Sequence, residues 1–152
     1  IVYPKSCIEH AATHKAEQTE RQHDLQLNLR DVNAVAIGED YLRKVIDELV
    51  DNAFKFSNPG TPISVHSEMD GNSYLVTVIN QGRGMSHEQI QLLGAYMQFE
   101  RRIHEQQGAG LGLIICKRLV ELHGGELLIQ RTPDVETRIE MRLPLKQVEL
   151  NY

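Results

Sequence analysis

The chain has 152 residues, 41% of them hydrophobic, and a formal net charge of -5; that length suits one domain, able to bury about two thirds of its unfolded surface without a metal or disulfide. The acidic balance argues against a nucleic-acid surface, which needs a basic footprint. No apolar run approaches the ~18 residues of a membrane span and the opening Ile1-Val2-Tyr3-Pro4-Lys5 has no signal-peptide core, so a soluble, cytoplasmic domain without membrane contact is expected.

A first helix is expected over residues 4–20, with Pro4 in its first turn where a missing N–H costs nothing. Two short strands follow, an alternating one over 25–29 and an apolar one over 34–37. Gly38-Glu39-Asp40 then opens a second helix with acids in its first turn, and Asn58-Pro59-Gly60 stops it. Residues 63–69 and 74–80 read as strands joined through Asp70-Gly71-Asn72, a hairpin signal. The turn Gln81-Gly82-Arg83-Gly84-Met85 leads to a short helix from Ser86. From 94 to 110 the pattern loses its period, and a polar, glycine-bounded stretch has the composition of a mobile loop. Residues 111–123 return to helix, closed by Gly124-Gly125 as a C-cap, and 127–129 with 138–143 form a last strand pair halted by Pro144. This order predicts a mixed sheet with three main helices on one face, its glycine turns gathered at one end. Cys7 and Cys116, far apart and each in a helix, read as buried reduced thiols rather than a zinc or disulfide framework.

Chemistry concentrates on the second helix. At about 100° per residue, Glu48, Asn52 and Lys55 fall within roughly 60° of one another, beside an apolar stripe of Leu42, Val45, Ile46, Leu49, Ala53 and Phe56. An ordinary amphipathic helix carries Glu and Lys at such spacings as solvated partners, so the stripe alone leaves both readings open. Gly108-Ala109-Gly110-Leu111-Gly112-Leu113 stands directly ahead of a helix, where closely placed glycines let backbone N–H groups approach phosphate oxygens. It is neither a Walker loop, since no Gly-Lys-Ser/Thr follows, nor a dinucleotide fingerprint, since no strand precedes it. A polyphosphate on so acidic a chain needs a bound cation and local basic groups, which makes Lys55, Arg83, Arg101, Arg102 and Lys117 candidates; each is otherwise a solvated surface charge.

Taken in order, these pieces resemble the ATP-binding catalytic domain of two-component sensor histidine kinases over nearly the whole chain, 1–152 being one such domain. The run from Glu48 through Asn52 and Lys55 to Ser57 is similar to that family's N box, Gln81-Gly82-Arg83-Gly84 to its first glycine box, Tyr96-Met97-Gln98-Phe99-Glu100-Arg101 to its F box, and 108–113 to its second glycine box. The wider superfamily of gyrase, chaperone and mismatch-repair ATPases shares the N box and glycine turns. The F box and compact length favour the kinase branch. The resemblance implies a two-layer α/β (α+β) sandwich that binds Mg²⁺-ATP and donates the γ-phosphate to a histidine on a dimerisation domain, with a response regulator downstream. It implies that Asn52 offers its amide oxygen to Mg²⁺, Lys55 meets a phosphate and Glu48 acts as general base or polarises the attacking group. Gly82, Gly84 and Met85 line the nucleotide, and Gly108, Gly110, Leu111 and Gly112 cradle the phosphates. Residues 94–108 form an ATP lid fixed by Phe99, and Thr137 supplies a secondary contact.

Two departures and one absence stand against that pattern. The family's adenine-binding Asp is replaced by Asn80, and exchanging a charged for a neutral acceptor costs of order 1 kcal/mol of binding. Its Gly-Thr pair is Glu136-Thr137 here. None of His10, His14, His23, His66, His87, His104 or His123 is followed by the acid, basic residue and Pro of a phosphoacceptor motif, so the acceptor is expected outside these residues. His10 and His14 share a helix face, with no third partner in sight for a metal. The competing readings are a degenerate nucleotide-sensing or interaction module, motivated by Asn80, and a related superfamily ATPase.

Overall fold

The computed structural model describes residues 4–30, 35–82, 111–132 and 136–145. Helix α1 spans Pro4–Gln18, and a single 3-10 turn, Gln22–Asp24, leads into β1, Leu25–Asn28. Next come α2, Glu39–Lys55, the hairpin β2, Ile63–Asp70, and β3, Ser73–Gln81, then α3, Leu111–Leu122, and the pair β4, Glu126–Thr132, and β5, Glu136–Pro144. The five strands form one mixed sheet in the order β1-β2-β3-β5-β4. β1 runs parallel to β2, with Leu25 opposite Ile63, and every other pair is antiparallel.

Strand periodicity decides which face is covered. Along β3, Tyr74, Val76 and Val78 are buried at period two; along β5, Ile139, Met141 and Leu143 are. These residues, with Ile63 and Val65, meet the helices in one core. α2 contributes the expected stripe of Leu42, Val45, Ile46, Leu49, Ala53 and Phe56, and also Val50 and Phe54. α1 contributes Ile8 with three alanines, Ala11, Ala12 and Ala16, small enough for close approach of its neighbour. The sheet with helices on one face is the architecture the sequence predicts.

Differences from the sequence reading lie at element ends. The strand expected over 34–37 does not form: Val35 makes one isolated bridge to Leu145, and the Ala36 N–H donates to the carbonyl of Pro144. The hairpin closes tighter than expected, Asp70 pairing Ser73 across Gly71-Asn72 with Gly71 at φ +60°. α3 ends as expected, in a Schellman motif: the Gly125 N–H donates to Val120 (2.9 Å), the Gly124 N–H to Glu121 (3.0 Å), and Gly124 takes φ +81°.

α1 stops two residues before the expected Glu20 and ends in the same motif. The Arg21 N–H donates to the carbonyl of Ala16 (2.8 Å) and the Glu20 N–H to that of Glu17 (3.1 Å). Glu20 takes the left-handed position at φ +55° that glycine usually fills. The reversal carries Arg21 into the interior. Its guanidinium donates from Nε to Asp24 Oδ2 (2.8 Å), from Nη1 to the Phe54 carbonyl (3.0 Å) and Ser57 Oγ (2.9 Å), and from Nη2 to the carbonyls of Asn58 (3.0 Å) and Thr61 (3.3 Å). It also lies over the Phe54 ring, 5.1 Å from the centroid. Asp24 Oδ2 takes a further hydrogen bond from the Gly60 N–H (3.0 Å). The hydrogen bond from Arg21, joined by that from Gly60, holds the Asp24 carboxyl below its ordinary 3.8.

Two predictions follow from this corner. A left-handed conformation costs a non-glycine residue about 1–2 kcal/mol, part of which glycine returns through its freer unfolded chain. Glu20→Gly should therefore raise the urea midpoint by roughly 0.5 kcal/mol equivalent; a lowered midpoint would show the turn to be unstrained. Asp24 has a folded-state pKa below its unfolded one, so its stabilisation is present above the ordinary carboxylate value and is lost as pH falls through the folded value. Asp24→Asn should accordingly flatten the acid limb of the stability curve below about pH 4; an unchanged limb, followed by circular dichroism, would count against this coupling.

Candidate functional site

Glu48, on the polar stripe of α2, faces the first turn of α3. Glu48 and Asn52 are half-buried, and Lys55 is exposed at the helix end, 5.6 Å from the Phe56 ring centroid. Asn52 Nδ2 donates to the carbonyl of Glu48 (2.7 Å). A carbonyl can only accept, so this contact fixes the nitrogen on the helix side and leaves Oδ1 as the end that can bind a cation or a donor.

Gly112 shows how closely the two helices meet. The three atoms nearest a Cβ placed there all belong to the Glu48 carboxyl group, and a side chain would collide with it. The Glu48 carboxylate is thus seated against the first turn of α3, where unpaired N–H groups and the helix dipole favour negative charge. Leu111 opens that turn. One turn on, Cys116 is fully buried, its Sγ 3.9 Å from the Val45 carbonyl. Burial, with the nearby Glu48 charge second, pushes its thiol up to about 12, so it packs as a neutral group. Cys7 is only half-buried, a departure from the expected burial, and both thiols are free. Lys117 pairs with Glu121 at 2.9 Å.

Glu48 also lines a cleft of about 340 Å³ between α1 and α2, with His14, Lys15, Asp47 and Asp51 around it. Lys15 and Asp51 form an ion pair at 2.9 Å. The His10 and His14 rings stack in parallel with centroids 6.2 Å apart.

The sheet supplies the opposite wall. Asn80 and Thr137 sit directly across from each other in the β3–β5 ladder, 4% and 2% exposed, on the face that buries Val78 and Ile139. Both break the apolar alternation at the same end of the sheet. Asn80 Nδ2 and Thr137 Oγ1 have no hydrogen-bond partner, each omission costing about 1–3 kcal/mol. A pair of unpaired polar atoms, side by side in a core layer, calls for a ligand or an ordered water to complete the bonding. Period-two placement of these residues was available from the sequence, which weighed them one at a time and missed the pairing.

Beyond Asn80 the chain turns at Gly82, φ +122°, whose Cα lies so near Asn58 that a Cβ would come 3.2 Å from the Asn58 N. The first glycine turn is therefore seated on the loop that Arg21 braces. Gly84, Met85, Phe99, Gly108, Gly110, the basic candidates Arg83, Arg101 and Arg102, the helix expected from Ser86 and the expected lid lie outside the described residues. Arg21 had no part in the sequence reading of the site, because apart from Asp24 its partners are 33 to 40 residues away.

The profile of the family described as "Histidine kinase-, DNA gyrase B-, and HSP90-like ATPase" matches residues 37–147. Among curated relatives, the alginate biosynthesis sensor protein KinB of Pseudomonas aeruginosa is 32% identical over 127 residues, covering 82% of this chain and 21% of KinB. The circadian input-output histidine kinase CikA of Synechococcus elongatus is 37% identical over 111 residues, covering 72% and 15%. The chain therefore spans about a fifth or less of the length of these relatives. Among solved structures, a mycobacterial sensor histidine kinase, MprB, superposes with a TM-score of 0.76 at 24% identity over 97% of both chains. The catalytic domain of histidine kinase ThkA gives 0.70 at 18% identity over 95% of this chain and 94% of its own. With the profile matched from the start of α2 through β5, the chain belongs to the histidine kinase-, DNA gyrase B- and HSP90-like ATPase family.

Proposed function

We propose that residues 1–152 are the ATP-binding catalytic domain of a two-component histidine kinase, which binds Mg²⁺-ATP and passes the γ-phosphoryl group to a histidine on a separate dimerisation domain. The observation that carries this reading is the buried, unpartnered pair Asn80 and Thr137 at one end of the sheet, together with Glu48 seated against the start of α3 one helical turn before Asn52. A hydrogen-bonding floor for a base and an anion-favouring helix start belong at opposite ends of one nucleotide. The family match adds ATP chemistry, and the sensor-kinase relatives favour the kinase branch. The domain works in the cytoplasm, where ATP is supplied, and a response regulator takes the phosphoryl group onward.

Each residue then has a defined task. Asn80 and Thr137 hydrogen-bond the base. Asn52, with Oδ1 turned away from its own helix, fits a hard cation that seeks oxygen ligands. Mg²⁺ held there would neutralise phosphate charge. Lys55 lies at the phosphate side of the stripe. Gly82, Gly84 and Met85 shape the base side, Gly108, Gly110, Leu111 and Gly112 the phosphate side, and Phe99 anchors the lid. Glu48 accepts a hydrogen bond from the N–H of the attacking imidazole, orienting its other nitrogen on the γ-phosphorus, or takes its proton. The new P–N bond forms as the bond to ADP breaks.

The direct test is transfer from labelled ATP to a supplied histidine-containing dimerisation domain. Label on its histidine supports the kinase. ATP binding without transfer would favour the second reading, a nucleotide-sensing module, which the neutral Asn80 alone recommends.

Two variants probe the roles. Asn52→Ala should abolish the tightening of nucleotide binding by Mg²⁺ while keeping the fold, since alanine suits a helix interior at least as well; calorimetric titration showing the same Mg²⁺ effect in the variant would remove Asn52 as ligand. Gly112→Ala displaces only a carboxylate at the end of a flexible side chain. Thermal stability should hold or rise slightly, by up to about 1 kcal/mol, while phosphotransfer falls by about 10²-fold through misplacement of Glu48. Unimpaired transfer would mean that Glu48 does not act from the position it occupies here.

A further inference from the structure

We infer that Asn80 makes the base site tolerant of both 6-amino and 6-oxo purine nucleotides, so that inosine or guanosine triphosphate serves as well as ATP. This deepens the nucleotide-binding reading above and rests on it. The observation behind it is the nature of the unpartnered atom: Asn80 Nδ2 is a donor, buried without an acceptor. A carboxylate at this position would present acceptors alone, whereas the Asn80 amide brings a donor to the base edge as well as an acceptor.

An amide carries one donor end and one acceptor end about 2 Å apart. Facing the N1 edge of adenine, its oxygen accepts from the 6-amino group while its nitrogen donates to N1. Turned over about its terminal torsion, which is broad and nearly two-fold, the same amide donates to a 6-oxo group and accepts from the adjacent ring N–H. A carboxylate cannot be inverted in this way, because it only accepts and repels a 6-oxo oxygen.

The neighbours permit the inversion. Asn80 is flanked in the sheet by Ile63 on β2 and Thr137 on β5. Ile63 offers no polar group, and neither the Asn80 nitrogen nor the Thr137 hydroxyl is tied to a partner that would fix one orientation. The hydroxyl rotates to donate or accept as the base requires. The pair is neutral and adjustable. The site therefore reads a purine edge without committing to the sign of its sixth position.

The test is calorimetric titration of the chain, with Mg²⁺, using non-hydrolysable analogues of ATP, GTP, inosine triphosphate and CTP, repeated on Asn80→Asp. The expected result is that ATP and inosine triphosphate bind the parent within about ten-fold of each other and clearly more tightly than CTP. Asn80→Asp should retain ATP within several-fold and weaken inosine triphosphate by about ten-fold or more, since the carboxylate repels its 6-oxo oxygen and finds no 2-amino donor in compensation. Inosine triphosphate bound with GTP excluded still supports the inference, since the two differ only in the 2-amino group. A parent that prefers ATP over both 6-oxo nucleotides by more than about a hundred-fold overturns it and leaves the kinase reading intact. Equal affinity for CTP overturns it too, because the base would not be read. Absence of binding by every nucleotide overturns both readings. The parent's own ranking decides the matter even where the variant fails to fold.

Discussion

Everything that positions the site leans on one buried cation. The guanidinium of Arg21 places its donors on Asp24, Ser57 and the carbonyls of Phe54, Asn58 and Thr61, so a single planar group satisfies the C-terminal end of α2 and the loop beyond it. Carbonyls at a helix C-terminus carry partial negative charge and want a cation. That the cation comes from the turn after α1, and not from solvent, ties three segments into one rigid corner. Gly82 then packs its backbone on Ser57 and Asn58, so the strand end holding Asn80 is referenced to the same corner. Losing the guanidinium would leave these carbonyls without their shared donor.

The two walls of the site are built on different terms. On the helix side, polar groups are supported: Asn52 is oriented by its own helix, and Glu48 rests on the N-terminal turn of α3. On the sheet side they are left wanting, with two hydrogen-bonding atoms stranded among Val78, Ile139 and their neighbours. The surrounding layer of fully buried Tyr74, Met141, Leu143, Ile63 and Leu49 gives the fold enough apolar burial to carry that cost. A site that keeps its unsatisfied groups unpaired at the end of the core layer is preorganised, because no bond needs to be unmade before a ligand arrives.

Sequence legibility follows the range of the interactions involved. Elements set by local period were readable: the α2 stripe, the β2–β3 hairpin around Gly71 and the Gly124-Gly125 stop each depend on residues within a few positions of one another. What was missed depends on distance along the chain. Residues 35–37 have the composition of a strand, but their pairing is reduced to one bridge, Val35 to Leu145, with a residue far along the chain. Glu20 looks like one more helical residue, and its left-handed turn is selected by the partners waiting for Arg21. The candidate site was legible as a list of residues, through spacing and family resemblance. The pairing of Asn80 with Thr137 was not, since it rests on a strand register that no single segment encodes.

Charge distribution along α2 separates two faces of the proposed reaction. Asp47, Glu48 and Asp51 line the cleft toward α1, where Lys15 neutralises only Asp51. An acidic cleft repels a triphosphate and suits an imidazole, which brings an N–H to donate and gains stability if it becomes cationic. Asn52 and Lys55, further along the same helix, carry an amide and an ammonium and suit the phosphate side. Glu48 belongs to both faces: its carboxyl group borders the cleft and touches the start of α3. A group that accepts from an incoming imidazole while standing at the anion-favouring end of a helix must be held at the boundary between nucleophile and phosphate. Gly112 makes that boundary possible, because any larger residue would push the carboxylate back into the cleft.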